Sequence, residues 1–114
     1  MSSMKAIDSK TEEALRKFLA RVPADIGVER AFLYGSRARG DYKVESDADL
    51  ALVLRKQADD WQLLWDLSGL AYEIYLETGI MIQPVPISAD DWAHPERFSR
   101  PSFLRNITRE GIPL

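Results

Sequence analysis

The chain has 114 residues, with 15 Lys and Arg against 18 Asp and Glu, which gives a formal net charge of −3. Its length suits one domain over residues 1–114, and a composition of 46% hydrophobic and 29% charged residues is typical of a folded globular protein. With no cysteine and one histidine, disulfides, thiol catalysis and cysteine–zinc sites are excluded. Any chemistry must rest mainly on carboxylates, hydroxyls, arginines and backbone groups.

Hydropathy and charge also argue against membrane and nucleic-acid binding. No stretch approaches the roughly 20 apolar residues of a membrane-spanning helix. Residues 1–6 contain no apolar run, so we expect no signal peptide and, given the lack of cysteines, a cytoplasmic protein. The acidic balance gives no general electrostatic affinity for nucleic acid, and no basic patch interleaved with aromatics supports a nucleic-acid polymerase.

The first half of the chain reads as helix, strand, turn and strand. A helix is predicted to begin near Ser9, which has capping-box spacing to Glu12, and to end before Pro23. A strand follows over Val28–Tyr34, and then a turn over Gly35–Tyr42 that has room for one helical turn.

A second strand is predicted over Asp47–Leu54. Alternation along it places its three leucines on one face and Asp47 and Asp49 on the other. The two carboxylates should therefore lie on the same side of the sheet.

A long helix is predicted from an N-cap at Asp59 to Gly79. Helical spacing gives it an inner apolar stripe of Leu63, Leu67, Leu70, Ala71 and Ile74. A second stripe consists of Trp61, Trp65, Tyr72 and Leu76. We expect the second stripe to pack on the sheet or the C-terminal tail, with contact to a partner protein as the alternative.

The last third of the chain contains one strand and one short helix. The strand, over Ile80–Ile87, carries Pro84 and Pro86, which lack N–H donors on the same side and so predict an edge strand. The helix runs over Pro101–Arg109. The order α-β-α-β-α-β predicts an α+β (two-layer α/β) fold: a small mixed β-sheet with helices packed on it.

The residues that carry chemistry lie between the first two strands. Gly35 and Ser36 follow a strand directly, so the backbone can approach a ligand closely, and Arg37 and Arg39 add positive charge. These are the parts of a phosphate cradle, although a Gly-Ser turn with arginines can also be only a solvated turn.

Asp47 and Asp49 stand two residues apart at the start of the second strand. Two like charges this close need a compensating cation, and Mg²⁺ prefers carboxylates together with substrate phosphates. A capping role is the alternative for either aspartate alone. The combination of Gly-Ser and Asp-x-Asp flanking a short connection favours a functional site.

The segment resembles a known signature. Gly-Ser-Arg-Ala-Arg-Gly over residues 35–40 and Ser-Asp-Ala-Asp-Leu over residues 46–50 are similar to the motifs of minimal nucleotidyltransferases in the polymerase-beta-like superfamily. The resemblance implies a nucleotidyltransferase fold and transfer of a nucleoside monophosphate, AMP from ATP, to a protein or small acceptor.

The resemblance also assigns roles to individual residues. It implies that Gly35 and Ser36 bind the triphosphate, with help from Arg37 and Arg39. Asp47 and Asp49 would be the catalytic residues and the ligands of Mg²⁺.

One position departs from the family pattern. Active members carry a third acidic residue on the next core strand, and here that strand has no Asp or Glu, with Gln83 closest to the expected position. An amide can ligate through its oxygen but cannot act as a base. A catalytically impaired nucleotide-binding or partner-masking module is therefore the alternative to an enzyme.

The resemblance further implies a partner. Minimal nucleotidyltransferases often accompany HEPN-type toxins as antitoxins, so a protein partner of that kind, or a homo-oligomer, is expected. The chain has about the length of a bare nucleotidyltransferase core, which predicts that another molecule brings the acceptor.

Overall fold

The computed structural model describes residues 7–55 and 60–114, and these form a mixed β-sheet with helices on both faces. The helices are α1 (Ser9–Arg21), α2 (Ser36–Arg39), α3 (Trp61–Thr78), α4 (Ala89–Ala93) and α5 (Pro101–Glu110). The strands are β1 (Val28–Tyr34), β2 (Ala48–Leu54), β3 (Ile82–Ser88) and β4 (Ile112–Pro113). The predicted α+β fold is confirmed.

The four strands lie in the order β3-β2-β1-β4. β1 runs antiparallel to β2 and β4, whereas β2 and β3 are parallel, so the sheet is mixed. β3, with Pro84 and Pro86, lies at an edge as predicted, because an edge strand needs hydrogen-bond donors on one side only. α4 and β4 were not predicted, since elements of five and two residues are too short to show a period.

The two faces of the sheet carry separate apolar clusters, and β2 contributes to both. Leu50, Leu52 and Leu54 belong to the cluster that α1 and α3 cover, and Ala51 and Val53 to the cluster under α4 and α5. The predicted alternation along β2 is therefore confirmed. Within the described residues, no helix combines the length and apolar character needed to span a bilayer.

The start of α1 corrects one prediction. Asp8, not Ser9, is the N-cap: its backbone is extended (φ −62°, ψ 150°), and its carboxylate accepts a hydrogen bond from the backbone N–H of Thr11 at 3.2 Å. Ser9 is already helical, so the expected capping box with Glu12 does not form. The physical reason is that a carboxylate one residue earlier reaches the same orphan donors.

The long helix α3 ends as predicted, and its outer stripe corrects another prediction. Gly79 is the left-handed C-cap, and Asp60 caps the start by accepting from the N–H of Gln62 at 2.9 Å. The predicted N-cap, Asp59, lies outside the described residues. Trp61 and Trp65 are each 70% exposed, so the second stripe packs on neither sheet nor tail. The inner stripe and α1 already cover that face of the sheet, and the tail helix α5 packs on the other.

Candidate active site

Three side chains form a row across the sheet at the C-terminal end of β1. Tyr34 pairs with Asp49 in the β1–β2 register, and Asp49 pairs with Gln83 in the β2–β3 register. Residues paired in register point to the same face, here the one that α4 and α5 partly cover. Gln83, which the sequence puts closest to the position of the missing third acidic residue, is thus in register with Asp49.

The turn after β1 packs directly on Asp49. Gly35 has φ 77° and ψ −157°, a backbone conformation essentially restricted to glycine. A Cβ built on Gly35 would overlap the Asp49 carboxylate. The glycine is therefore required both by its dihedral angles and by the closeness of the aspartate. Ser36, the first residue of α2, follows directly.

Asp49 is electrostatically strained where it stands. Burial raises the pKa of its carboxyl, the neighbouring charge of Asp47 raises it further, and Arg39 opposes both effects. Asp47 is exposed and immediately precedes β2. The structure thus brings the two predicted carboxylates into interaction at one end of the sheet, and a cation between them would relieve the repulsion.

The oxygen atoms of Asp47, Asp49 and Gln83 fit a hard divalent cation. Two carboxylates and the amide oxygen of the exposed Gln83 are the oxygen ligands that Mg²⁺ accepts, completed by water or phosphate. Over residues 7–55 and 60–114, no group of three His, Cys, Asp or Glu side chains could hold a metal ion. Among the described residues, a third protein ligand would have to be a neutral group; otherwise water or a substrate phosphate supplies it.

Arg37 does not join this row. The residue is 4% exposed, and Nε donates to the carbonyl of Ser46 at 2.9 Å while Nη1 donates to Oγ1 of Thr11 at 2.9 Å. Nη2 donates to the carbonyl of Val44 at 3.0 Å, and the guanidinium stacks 4.5 Å from the centre of the Tyr42 ring. The guanidinium is committed to Thr11 of α1 and to the loop between α2 and β2, so we do not propose Arg37 as a phosphate ligand.

Arg39 is the arginine that the structure leaves near the carboxylates. It is exposed and contacts Asp41 at 3.3 Å and Glu110 at 3.7 Å. Its charge opposes the rise in the pKa of Asp49. Exposed pairs of this kind are weak, so its guanidinium can exchange them for a phosphate. The two arginines, equivalent by sequence, therefore differ in what they can do.

The family model described as "Polymerase beta, Nucleotidyltransferase" matches residues 13–114. The chain belongs to this nucleotidyltransferase family. No curated protein matches the sequence. Among solved structures, one provisionally described as a minimal nucleotidyltransferase has a TM-score of 0.60 and 24% identity, and the match covers 100% of both chains.

Two other solved structures of similar fold come from toxin–antitoxin complexes. One, solved with AMP-PNP, has a TM-score of 0.58 and 16% identity over 90% of this chain and 70% of that chain. The other, a variant of the MntA–HpeT complex, has a TM-score of 0.60 and 14% identity over the same shares. At these identities the likeness establishes the fold alone.

Sequence reasoning missed one wall of the candidate active site. The ring of Phe103 meets that of Tyr34 edge-on at 5.7 Å, and Arg100 lies 4.9 Å from the centre of the Phe103 ring. Burial, then the Asp49 charge, raises the pKa of Tyr34 to about 12, while Arg100 opposes the rise. Tyr34 is therefore a neutral hydroxyl beside Asp49. It directly precedes the Gly-Ser motif, whereas no local pattern links Arg100 and Phe103 to the site.

Proposed function

We propose that this nucleotidyltransferase transfers AMP from ATP to an acceptor, with Mg²⁺ held by Asp47 and Asp49. The observation that carries the proposal is the packing of the Asp49 carboxylate on Gly35. It joins the expected phosphate-binding turn to the expected metal ligands. Family membership supports the reaction type, and the similar toxin–antitoxin structure with AMP-PNP supports an adenine nucleotide.

Each group of the candidate active site has a distinct task in the proposed reaction. The phosphates are bound by the backbone N–H groups of Gly35 and Ser36 and by the hydroxyl of Ser36. Arg39 and Arg100 add positive charge from two sides. Tyr34 is protonated at neutral pH and so offers a hydrogen bond, not a negative charge. Bound Mg²⁺ would neutralise charge on the phosphates and the departing pyrophosphate.

For the acceptor we propose a protein partner, a toxin of the HEPN type, with this chain acting as its antitoxin. The toxin–antitoxin complexes among the similar folds support such a pairing. The open site, formed at one end of a small sheet, is also suited to a macromolecular acceptor that brings its own binding surface.

The alternative function is a binding module that holds nucleotide or masks a partner without transfer. Gln83 is the observation that favours it, because its amide stands where a third carboxylate would and cannot remove a proton from an attacking hydroxyl. In the enzyme, the acceptor hydroxyl must therefore lose its proton to Asp47, Asp49 or solvent.

The two functions can be separated by intact-mass spectrometry. The purified protein is incubated with ATP and Mg²⁺ in the presence of the protein co-expressed from its neighbouring gene. We expect a mass increase of one AMP on that acceptor. We expect none with Asp47→Asn or Asp49→Asn, whereas the control Glu45→Gln, which changes an exposed loop carboxylate, retains transfer.

Nucleotide binding, measured by calorimetry with AMP-PNP and Mg²⁺, completes the test. Nucleotide binding without AMP transfer to any acceptor would overturn the proposed enzymatic function and establish the binding module. Loss of both binding and transfer in Asp49→Asn, with the fold retained, would agree with the proposed metal site.

A further inference from the structure

One face of α3 is apolar and exposed. At 100° per residue its side chains fall within an arc of about 120°. Their exposed fractions lie between 42% and 70%. We call this surface the α3 aromatic face; its large side chains are those of Trp61, Leu64, Trp65, Tyr72, Tyr75 and Leu76.

The size of the α3 aromatic face is that of one half of a stable interface. Its six side chains together expose roughly 700 Å², taking about 200 Å² for one large side chain. The largest apolar patch on a monomer is usually about 300–600 Å², and one partner in a standard complex buries about 800 Å². A face of this size indicates that another molecule covers it.

We propose that a second copy of this chain covers the face, with α3 packed antiparallel on the partner's α3 about a two-fold axis near Ser68. A two-fold interface must be self-complementary. The α3 aromatic face meets this condition because Trp61 lies at one end and Tyr75 and Leu76 at the other, so reversal places large side chains opposite large ones.

The middle of the helix favours close approach. Ser68 is exposed and, by helical spacing, lies within the face, between Trp65 and Tyr72. A small residue at the crossing point lets two helices approach while the flanking aromatic rings pack around it. Bulky ends and a small centre suit a closely packed antiparallel helix pair.

Charge also favours a second copy. None of the six large side chains carries a charge, so the face fits another uncharged surface, which this chain itself supplies. On the acidic flank of the helix, Glu77 is paired within the same subunit: it accepts from both terminal nitrogens of Arg21 at 2.7 and 2.8 Å. A strongly charged partner would find no complementary charge on the face.

The proposed dimer leaves the candidate active site open. α3 and α1 cover one face of the sheet, whereas the row of Tyr34, Asp49 and Gln83 lies on the other. Dimerisation is therefore independent of the proposed reaction, and either can fail without the other.

Light scattering after size-exclusion chromatography tests the dimer on the purified chain. We expect twice the monomer mass of 13.0 kDa at high micromolar concentration. Trp65→Glu should raise the dimer dissociation constant by about 100-fold, because it would bury an unpaired charge. The matched control is Val44→Glu, at a side chain that is 91% exposed in the loop before β2, and it should leave the mass unchanged.

A cysteine crosslink locates the axis. The chain contains no cysteine, so Ser68→Cys introduces a single thiol. Mild oxidation should crosslink Ser68→Cys into a covalent dimer much faster than Ser102→Cys, an exposed position on α5. Faster crosslinking through Ser102→Cys would overturn the proposed interface.

Two further results would also overturn it. One is a monomer at every concentration, even if the face then captures a different protein. The other is a dimer whose dissociation constant Trp65→Glu leaves unchanged while circular dichroism shows that the variant is folded.

Discussion

The carboxylate of Asp49 lies against the Cα of Gly35, so the turn after β1 and the acidic start of β2 are fixed by one contact. The turn can adopt its conformation only because residue 35 has no side chain, and the carboxylate occupies the space that a side chain would take. The proposed phosphate-binding turn and the proposed cation ligands are thereby mechanically coupled in this small domain.

Gly35→Ala is expected to break this coupling. The new Cβ overlaps the Asp49 carboxylate and also strains a backbone that only glycine readily adopts. We expect a loss of about 3 kcal/mol in the free energy of unfolding, measured with urea. Binding of AMP-PNP with Mg²⁺ should be lost under conditions in which the variant is still folded.

Gly40→Ala is the matched control. Gly40 also has a positive φ, 93°, but a Cβ added there would meet no atom of the described residues within 4 Å. This substitution should cost about 1 kcal/mol through backbone strain and leave nucleotide binding unchanged. Equal loss of binding in both alanine variants would show that strain, not contact with Asp49, explains the effect.

Arg37→Met should destabilise the protein far more than Arg39→Met. Removing the buried guanidinium leaves loop carbonyls, including that of Ser46, without their donor, at a cost of about 3 kcal/mol. The exposed Arg39 should contribute about 0.5 kcal/mol or less. Urea unfolding of the two variants checks the difference, and similar losses would contradict the structural role of Arg37.

Asp49 should make stability depend on pH in an unusual direction. Its pKa is raised in the folded protein above the ordinary 3.8, so the folded state holds the proton more tightly than the unfolded state. Stability should therefore fall as the pH rises from 3.8 through the raised value. Asp49→Asn removes this ionisation, so the variant should be the more stable protein at neutral pH and lose that advantage below pH 3.8.

Magnesium provides the internal control for that titration. Binding between the two carboxylates should restore stability to the wild type at neutral pH, and Asp49→Asn should not respond. Thermal unfolding with and without Mg²⁺ across the pH range measures both effects. If Mg²⁺ does not change the melting temperature of the wild type, the result would argue against the proposed metal site.

Gln83→Asp should increase the stabilisation of the protein by Mg²⁺. A third carboxylate in register with Asp49 adds repulsion, so the metal-free variant should melt at a lower temperature than the wild type. Mg²⁺ should raise its melting temperature by more than it raises that of the wild type. If AMP transfer appears only in this variant, Gln83 is what keeps the natural chain from catalysis.

Local patterns were enough to predict much of the fold. The β1 bounds, the edge position of β3 and the helix end at Gly79 all follow from signals within a few residues: apolar alternation, proline and a C-cap glycine. The N-cap at Asp8 was missed because two adjacent residues can cap equally well, and only the backbone angles distinguish them.

Local residue patterns were also enough to identify the two motifs and the strand that carries Asp47 and Asp49. Which residues surround them was decided by tertiary structure. The sheet register brings Gln83 and Tyr34 beside Asp49, and burial separates Arg37 from Arg39 although both stand in one motif. The exposure of Trp61 and Trp65 was decided in the same way. A periodic pattern shows that a face is apolar, but only the packing of the other elements shows whether anything in the chain covers it.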